Sequence, residues 1–228
     1  METVAEIVPG KRHQGFKQML TQDHAGESIH YHGKLYDILD RAAMLFAQNG
    51  YHNTSMRDLA AELKTSLAGL YYYFETKEEL LFLISQYSFD SVILSLNEKL
   101  NQAGDPVERL NVFVHNHLQY FVTHLSAMKV LSHESDSLSG EYFELINAKK
   151  KSYLQILENM LLDIARAQSN QPHMRLNQKI KISALSLFGM MNWTYTWFNP
   201  DKHKNQSLSI QKISDQMVNL FLHGFLKD

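Results

Sequence analysis

The chain has 228 residues, 22 Lys+Arg against 24 Asp+Glu, a formal net charge of −2 and no cysteine. That length suits one compact domain or two small ones with a sizeable core, and the lack of cysteine excludes a disulfide scaffold, a thiolate metal site and a cysteine nucleophile. The near-neutral balance gives no global case for nucleic acid or an anionic membrane. Pro9, Gly10 and charges interrupt Met1 to Leu20, so the expectation is a soluble, cytoplasmic protein without a signal peptide.

Residues 1 to 33 carry little apolar periodicity and are expected to form a flexible arm. Thereafter the period is helical. Leu35, Ile38, Leu39, Ala42 and Phe46 mark a first helix, closed by Asn49-Gly50. A second opens at Thr54-Ser55, where Ser55-x-x-Asp58 resembles a capping box, and buries Met56, Leu59, Ala60 and Leu63. A third spans Ser66 to Phe74, and a fourth starts at the capping box Thr76-x-x-Glu79 and runs towards Leu100.

Gly104-Asp105-Pro106 breaks the chain and starts a helix to Leu125, with Pro106 at its first position. A short segment to Ser132 follows. Further helices are expected over Gly140 to Ala167, Leu176 to Phe198 and Ser207 to Leu226, with Asn199-Pro200 ending the penultimate one. No repeat or alternating strand pattern appears, so the fold class is all-α. Ile182 to Pro200 lacks charge over nearly a membrane length, but Ser183, Ser186, Asn192, Thr194 and Thr196 interrupt it. It reads as a helix buried on most sides, without a second membrane candidate and without a membrane partner.

Between Leu35 and Leu80, a long helix followed by two short ones describes a helix-turn-helix unit, whose second short helix enters the major groove. Leu70 and Phe74 pack under Leu59 and Leu63, turning Leu67, Gly69, Tyr71 and Tyr72 outward. The run Ala42-Ala43-x-Leu45-Phe46-x-x-x-Gly50, Thr54-Ser55-x-x-Asp58-Leu59-Ala60 and Ser66-x-x-Gly69-Leu70-Tyr71-Tyr72-Tyr73-Phe74-x-x-Lys77-Glu78-x-Leu80 resembles the DNA-binding domain of the TetR family of bacterial transcriptional regulators. The resemblance implies a DNA-binding domain over 34–80 and a regulatory, dimerising domain over 81–228. It implies that Arg57 reaches a base or phosphate, that Leu67, Gly69 and Tyr71 face base edges, and that Tyr72, Tyr73 and Lys77 contact phosphate. Thr54, Ser55 and Ser66 complete the expected DNA-binding set, the first two through their hydroxyls. Tyr73 also reads as partly core, and Leu67 as a buried helix residue.

Three departures stand out. Leu67 sits where many relatives carry a polar or basic residue, and leucine cannot donate a hydrogen bond. Lys64 occupies the turn where relatives usually carry glycine, and a left-handed lysine costs of order 1 kcal/mol. Arg41, Arg57, Lys64 and Lys77 face Asp37, Asp40, Asp58, Glu62, Glu75, Glu78 and Glu79, so Leu35 to Leu80 is net −3. The basic footprint of nucleic-acid binders is missing. DNA binding is therefore expected to rest on few phosphate contacts, to be easily lost in salt, and to draw on Lys11, Arg12, Lys17 and Lys34.

The resemblance also implies a homodimer through the last two helices, on a palindromic double-stranded operator. Gly189 to Pro200, with Trp193 and Trp197 on one face, resembles the corresponding part of regulators of fatty-acid and other acyl-CoA catabolism, which release DNA when a CoA thioester binds. His117 interrupts the stripe Leu110, Val114, Phe121 and Leu125, and His124 follows it by seven. The ligand-binding set is thus His117, Phe121, His124, Trp193 and Trp197, with a satisfied core histidine the competing reading of His117. Lys149, Lys150, Lys151, Arg166 and Arg175 are available for the phosphates of CoA. No catalytic constellation appears, His115 and His117 lie about 200° apart on a helix, and no cofactor or metal is expected. The expected function is a repressor released by an acyl-CoA thioester; the alternative is a sensor of lipophilic drugs controlling an efflux pump.

Overall fold

The computed structural model describes residues 27–168, 173–198 and 208–225. The expected arm up to residue 26 lies outside them, as do Asn199-Pro200. Every regular element among the described residues is helical: α1 (Glu27–Asn49), α2 (Met56–Glu62), α3 (Leu67–Tyr71), α4 (Lys77–Leu100), α5 (Pro106–Thr123), α6 (Leu125–His133), α7 (Gly140–Gln168), α8 (His173–Trp197) and α9 (Ile210–Phe225), with a 3-10 turn at Ser135–Ser137.

Helix α1 buries Leu35, Ile38, Leu39, Ala42, Ala43 and Phe46. It begins at Glu27, so residues 27–33 belong to a helix and not to the expected arm. Extending a nucleated helix adds a hydrogen bond for each residue fixed, which weak apolar periodicity does not prevent. The helix ends where predicted: Gly50 takes φ 84° and its N–H donates to the Phe46 carbonyl at 2.9 Å.

The two short helices start on formed caps. Ser55 and Asp58 make the reciprocal capping box of α2, and the Ser66 hydroxyl accepts from the Gly69 N–H at the start of α3. Leu59, Leu70 and Phe74 lie in one core with Phe46. Between the helices Lys64 is left-handed, with φ 51°. Relieving that strain is worth about 1–2 kcal/mol, while glycine adds about 0.4–1 kcal/mol of unfolded-chain entropy. Lys64→Gly should therefore raise stability by about 0.5–1 kcal/mol in urea unfolding; an unchanged or lower midpoint would show that the turn holds no strain.

Helix α4 crosses the expected domain boundary at residues 80 and 81 without a break. Thr76 caps it by accepting from the Glu79 N–H, while the Glu79 carboxylate reaches back to the N–H of Glu75, one residue upstream of the cap. Leu80 to Ser85 are consecutively buried. Among the described residues this makes α4, and not the charge-free stretch after Ile182, the helix with span-like length and hydropathy, and most of its apolar stretch is buried inside the protein, as befits a core helix. By contrast α8 is only half-covered: Ile180, Ala184, Leu187 and Met191 face inward, while Ile182, Leu185, Trp193 and Trp197 are exposed.

The remaining helices bundle around α5, which packs against α4, α7, α8 and α9. Asp105 caps α5 through the N–H groups of Val107 and Glu108, with Pro106 in its first turn. The chain kinks at His124 (φ −120°, ψ 45°), and the short segment after it is a helix, α6, that packs against α1. Met128, Val130 and Leu131 give α6 a buried face.

Candidate functional site

The head of the molecule, the helix-turn-helix unit of α1, α2 and α3, presents fewer free groups than its sequence suggests. Thr54 is buried and its hydroxyl donates to the Gly50 carbonyl at 2.9 Å. The Ser55 hydroxyl donates to Asp58 at 2.6 Å, and Ser66 is occupied as a cap. Lys77 donates from Nζ to the carbonyls of Tyr51 and Thr54, at 2.9 Å each, and lies 4.3 Å from the Tyr51 ring centroid. These four side chains shape the turn and the helix entries. Arg57 is exposed, Tyr71 and Tyr72 stand 46% and 64% exposed, and Leu67 and Tyr73 are half-buried. Tyr73 meets the edge of Tyr72, at 5.1 Å between centroids. A Cβ at Gly69 would come within 2.6 Å of Thr65 Oγ1, so local crowding accounts for this glycine. Arg41, a cation that charge counting treats as available, is held by Glu62 and Asp37.

Behind the head, α4, α5, α6, α7 and α8 line a half-open cavity of about 320 Å³, with exposed Leu185 at its rim. Phe89, Val92, Met128, Leu131, Leu154 and Phe188 form its apolar wall. His117 is buried in that wall, with Nε2 3.1 Å from Asn192 Oδ1 and Nδ1 3.3 Å from Tyr153 Oη. Both contacts suit one neutral tautomer, in which Nε2–H donates to Asn192 and the Tyr153 hydroxyl donates to Nδ1. Burial pushes the imidazole pKa down to about 4, against the smaller opposing pull of Asn192. Lys150 is the cation of the lining; its Nζ donates to Ser135 Oγ at 2.6 Å.

The predicted ligand residues are not brought together. His117 lines this cavity. Phe121 lies beside it, its ring stacked on Tyr195 at 5.4 Å. His124 lies at the α5–α6 kink, stacked on Tyr120 at 4.2 Å, and lines a different cavity under α1. Trp193 and Trp197 are 66% and 48% exposed, outside the cavity lining. Their shared face is the outer one, since inward positions of α8 fall at Ala184, Leu187, Met191 and Thr194. Among the cations, Lys149 is paired with Asp90, and Lys151 and Arg166 are exposed; Arg175 lies where side chains are not described. Tyr153, Asn192 and Lys150 acquire their shared role only from packing. Lys150 and Asn192 occur in segments already of interest, whereas nothing in the sequence couples Tyr153 to a histidine 36 positions away. Among the described residues no three His, Asp or Glu side chains converge as a metal site.

Cavity and head share structural parts. Helix α6 contributes Met128, Leu131 and Ser132 to the cavity and packs against α1. The turn after α6 holds the head through polar contacts. Glu134 accepts from the Tyr51 N–H at 3.2 Å, Ser137 Oγ pairs with His52 Nε2 at 3.0 Å, and Ser139 donates to Glu78 from N at 2.7 Å and Oγ at 2.8 Å.

Comparison with known proteins agrees with this architecture. Residues 38–84 match the family of bacterial regulatory proteins of the tetR type, and residues 103–225 match the tetracyclin repressor-like C-terminal domain. The fatty acid metabolism regulator protein of Bacillus subtilis (strain 168) is 23% identical over 192 residues, covering 84% of this chain and 95% of its own. The crystal structure of AibR in complex with isovaleryl coenzyme A and operator DNA superposes with a TM-score of 0.69 at 29% identity, over 82% of this chain and 97% of AibR. The ketosteroid regulator KstR2 of Mycobacterium tuberculosis shares the fold, with a TM-score of 0.71 at 19% identity over 85% of this chain and 95% of its own. The chain therefore belongs to the TetR family of bacterial transcriptional regulators, as a ligand-responsive DNA-binding homodimer and not an enzyme.

Proposed function

We propose that this regulator is a repressor that leaves its operator when the acyl part of a CoA thioester enters the cavity around His117. The observation that carries this reading is an apolar chamber with one buried polar cluster, His117–Tyr153–Asn192, and one lining cation, Lys150. The wall suits an acyl chain, the cluster can meet a thioester carbonyl, and Lys150 suits an anionic remainder. The likeness to AibR, whose structure holds isovaleryl coenzyme A, supports the same effector class, and the likeness to the Bacillus fatty acid metabolism regulator supports a place in acyl metabolism.

In this reading residues 34–80 form the DNA-binding head and 81–228 the sensing part. Arg57, Leu67, Tyr71 and Tyr72 meet the DNA, with Tyr73 at the edge. Thr54, Ser55, Ser66, Gly69 and Lys77 set the geometry of the helices that do so. The exposed apolar face of α8, continued by Leu220 on α9, forms the homodimer contact and places two heads on a palindrome. An effector shifts the population by binding the released arrangement more tightly than the DNA-bound one. Helix α6 and the turn at Ser135–Ser137 carry that preference to α1 and the head.

The test is anisotropy of labelled DNA from the gene's own upstream region, titrated with isovaleryl-CoA, decanoyl-CoA, the matching free acids and CoA alone. Release by a thioester, with no response to acids or CoA, is the expected result. Firm DNA binding that ignores both thioesters but yields to uncharged lipophilic drugs would replace this reading with the drug-sensor one.

A further inference from the structure

We propose that the cavity between α1, α4, α5 and α6 is a second effector site, which takes a small aromatic amine in its cationic form. This site is separate from the one around His117 and does not depend on the acyl-CoA reading. Its volume is about 290 Å³, at the low end for small-molecule pockets, so one or two fused rings are the scale of ligand it admits.

The chemistry of the wall selects for positive charge. Tyr36, Tyr87, Tyr120 and His124 supply rings, while Asp37 and Asp40 supply carboxylates, and no lysine or arginine lines it. Tyr36 and Tyr87 meet edge to face at 4.5 Å. Cations are attracted to such ring faces as well as to the carboxylates. Arg41 pairs with Asp37 at 3.7 Å, and no ion pair to Asp40 occurs among the described residues, which leaves Asp40 the fuller charge. A fatty acid or CoA thioester would meet two carboxylates here. The two cavities thus have opposite preferences: Lys150 in one, Asp37 and Asp40 in the other.

Tyr120 is 8% exposed and meets the cavity through its ring, while its hydroxyl is buried beside Ser88 and Ser91. Burial raises its pKa, as it does that of Tyr36, so both phenols stay protonated and neutral. The position gives the site its consequence. Tyr36, Asp37, Leu39 and Asp40 come from α1 of the head, whereas Ala127 comes from α6, so a bound amine bridges the joint between them.

The experiment uses the full-length protein and naphthalene fluorescence. The probes are 1-naphthylmethylammonium and its anionic counterpart 1-naphthylacetate, with decanoyl-CoA titrated separately against the operator complex. The ammonium is expected to bind at least tenfold more tightly than the acetate. The double variant Asp37→Asn, Asp40→Asn, which alters exposed side chains, should weaken the ammonium at least tenfold, and Ala127→Phe should abolish its binding by filling the space. Decanoyl-CoA should act alike on the wild type and on the Asp37→Asn, Asp40→Asn protein. Equal binding of ammonium and acetate, or ammonium binding indifferent to both Asp37→Asn, Asp40→Asn and Ala127→Phe, overturns the proposal. Failure of decanoyl-CoA alone would count against the acyl-CoA reading and leave this one standing.

Discussion

Replacing His117 with glutamine is expected to flatten the pH dependence of stability between pH 6.5 and pH 4. In the native protein the imidazole is buried and neutral, with a pKa lowered to about 4, whereas in the unfolded chain it titrates near 6.5. Between these values the unfolded state binds the extra proton, so stability rises with pH across the window. Acidification from pH 6.5 to 4 should therefore remove up to about 3 kcal/mol through this group, with little further loss from it below pH 4. Glutamine retains hydrogen-bonding capacity towards Tyr153 and Asn192 but does not titrate. Urea unfolding of both proteins at half-unit pH steps makes the comparison, and the difference between the curves cancels carboxylates common to both. Parallel curves would mean that His117 is already charged or solvated in the folded protein.

Loss of the Lys150 charge should uncouple the effector from the DNA. Lys150→Met keeps the aliphatic stem against the cavity wall and removes the ammonium. A charge-assisted hydrogen bond is worth about 1.5–3 kcal/mol, so half-release of the operator should need roughly 10- to 150-fold more acyl-CoA. The same change takes a donor from buried Ser135, in the turn whose neighbours hold Tyr51, His52 and Glu78. Part of the effect should therefore appear as a lost response even when the ligand is bound. Calorimetry of acyl-CoA binding beside anisotropy of the operator complex separates the two contributions. If both titrations match the wild type, Lys150 has no part in sensing.

The head was legible because its determinants are local. Ser55, Ser66 and Thr76 act as caps within a few residues of themselves, Asn49-Gly50 ends α1 through its own backbone, and Lys64 takes the left-handed conformation that its place in the turn demands. The stripe through Leu59, Leu70 and Phe74 follows from helical period. What a cap or a cation is committed to is a different matter. Thr54, Arg41 and Lys77 look like free polar groups along the chain, but carbonyls and carboxylates from other turns occupy them.

In the sensing part, composition and period were enough for an all-α bundle and for His117 as an oddity on an apolar stripe. Residues on one helix face share a direction, but which neighbour covers that face is set by long-range packing. Packing therefore decided that His117 meets Tyr153 and Asn192, that His124 turns to a second cavity, and that Trp193 and Trp197 point outward. It also decided which apolar helix is the core: α4, covered from several sides, while α8 keeps an open face. Local hydrogen bonding and periodicity are written in neighbouring residues, whereas a cavity is formed by side chains that the sequence separates and only the tertiary fold brings together.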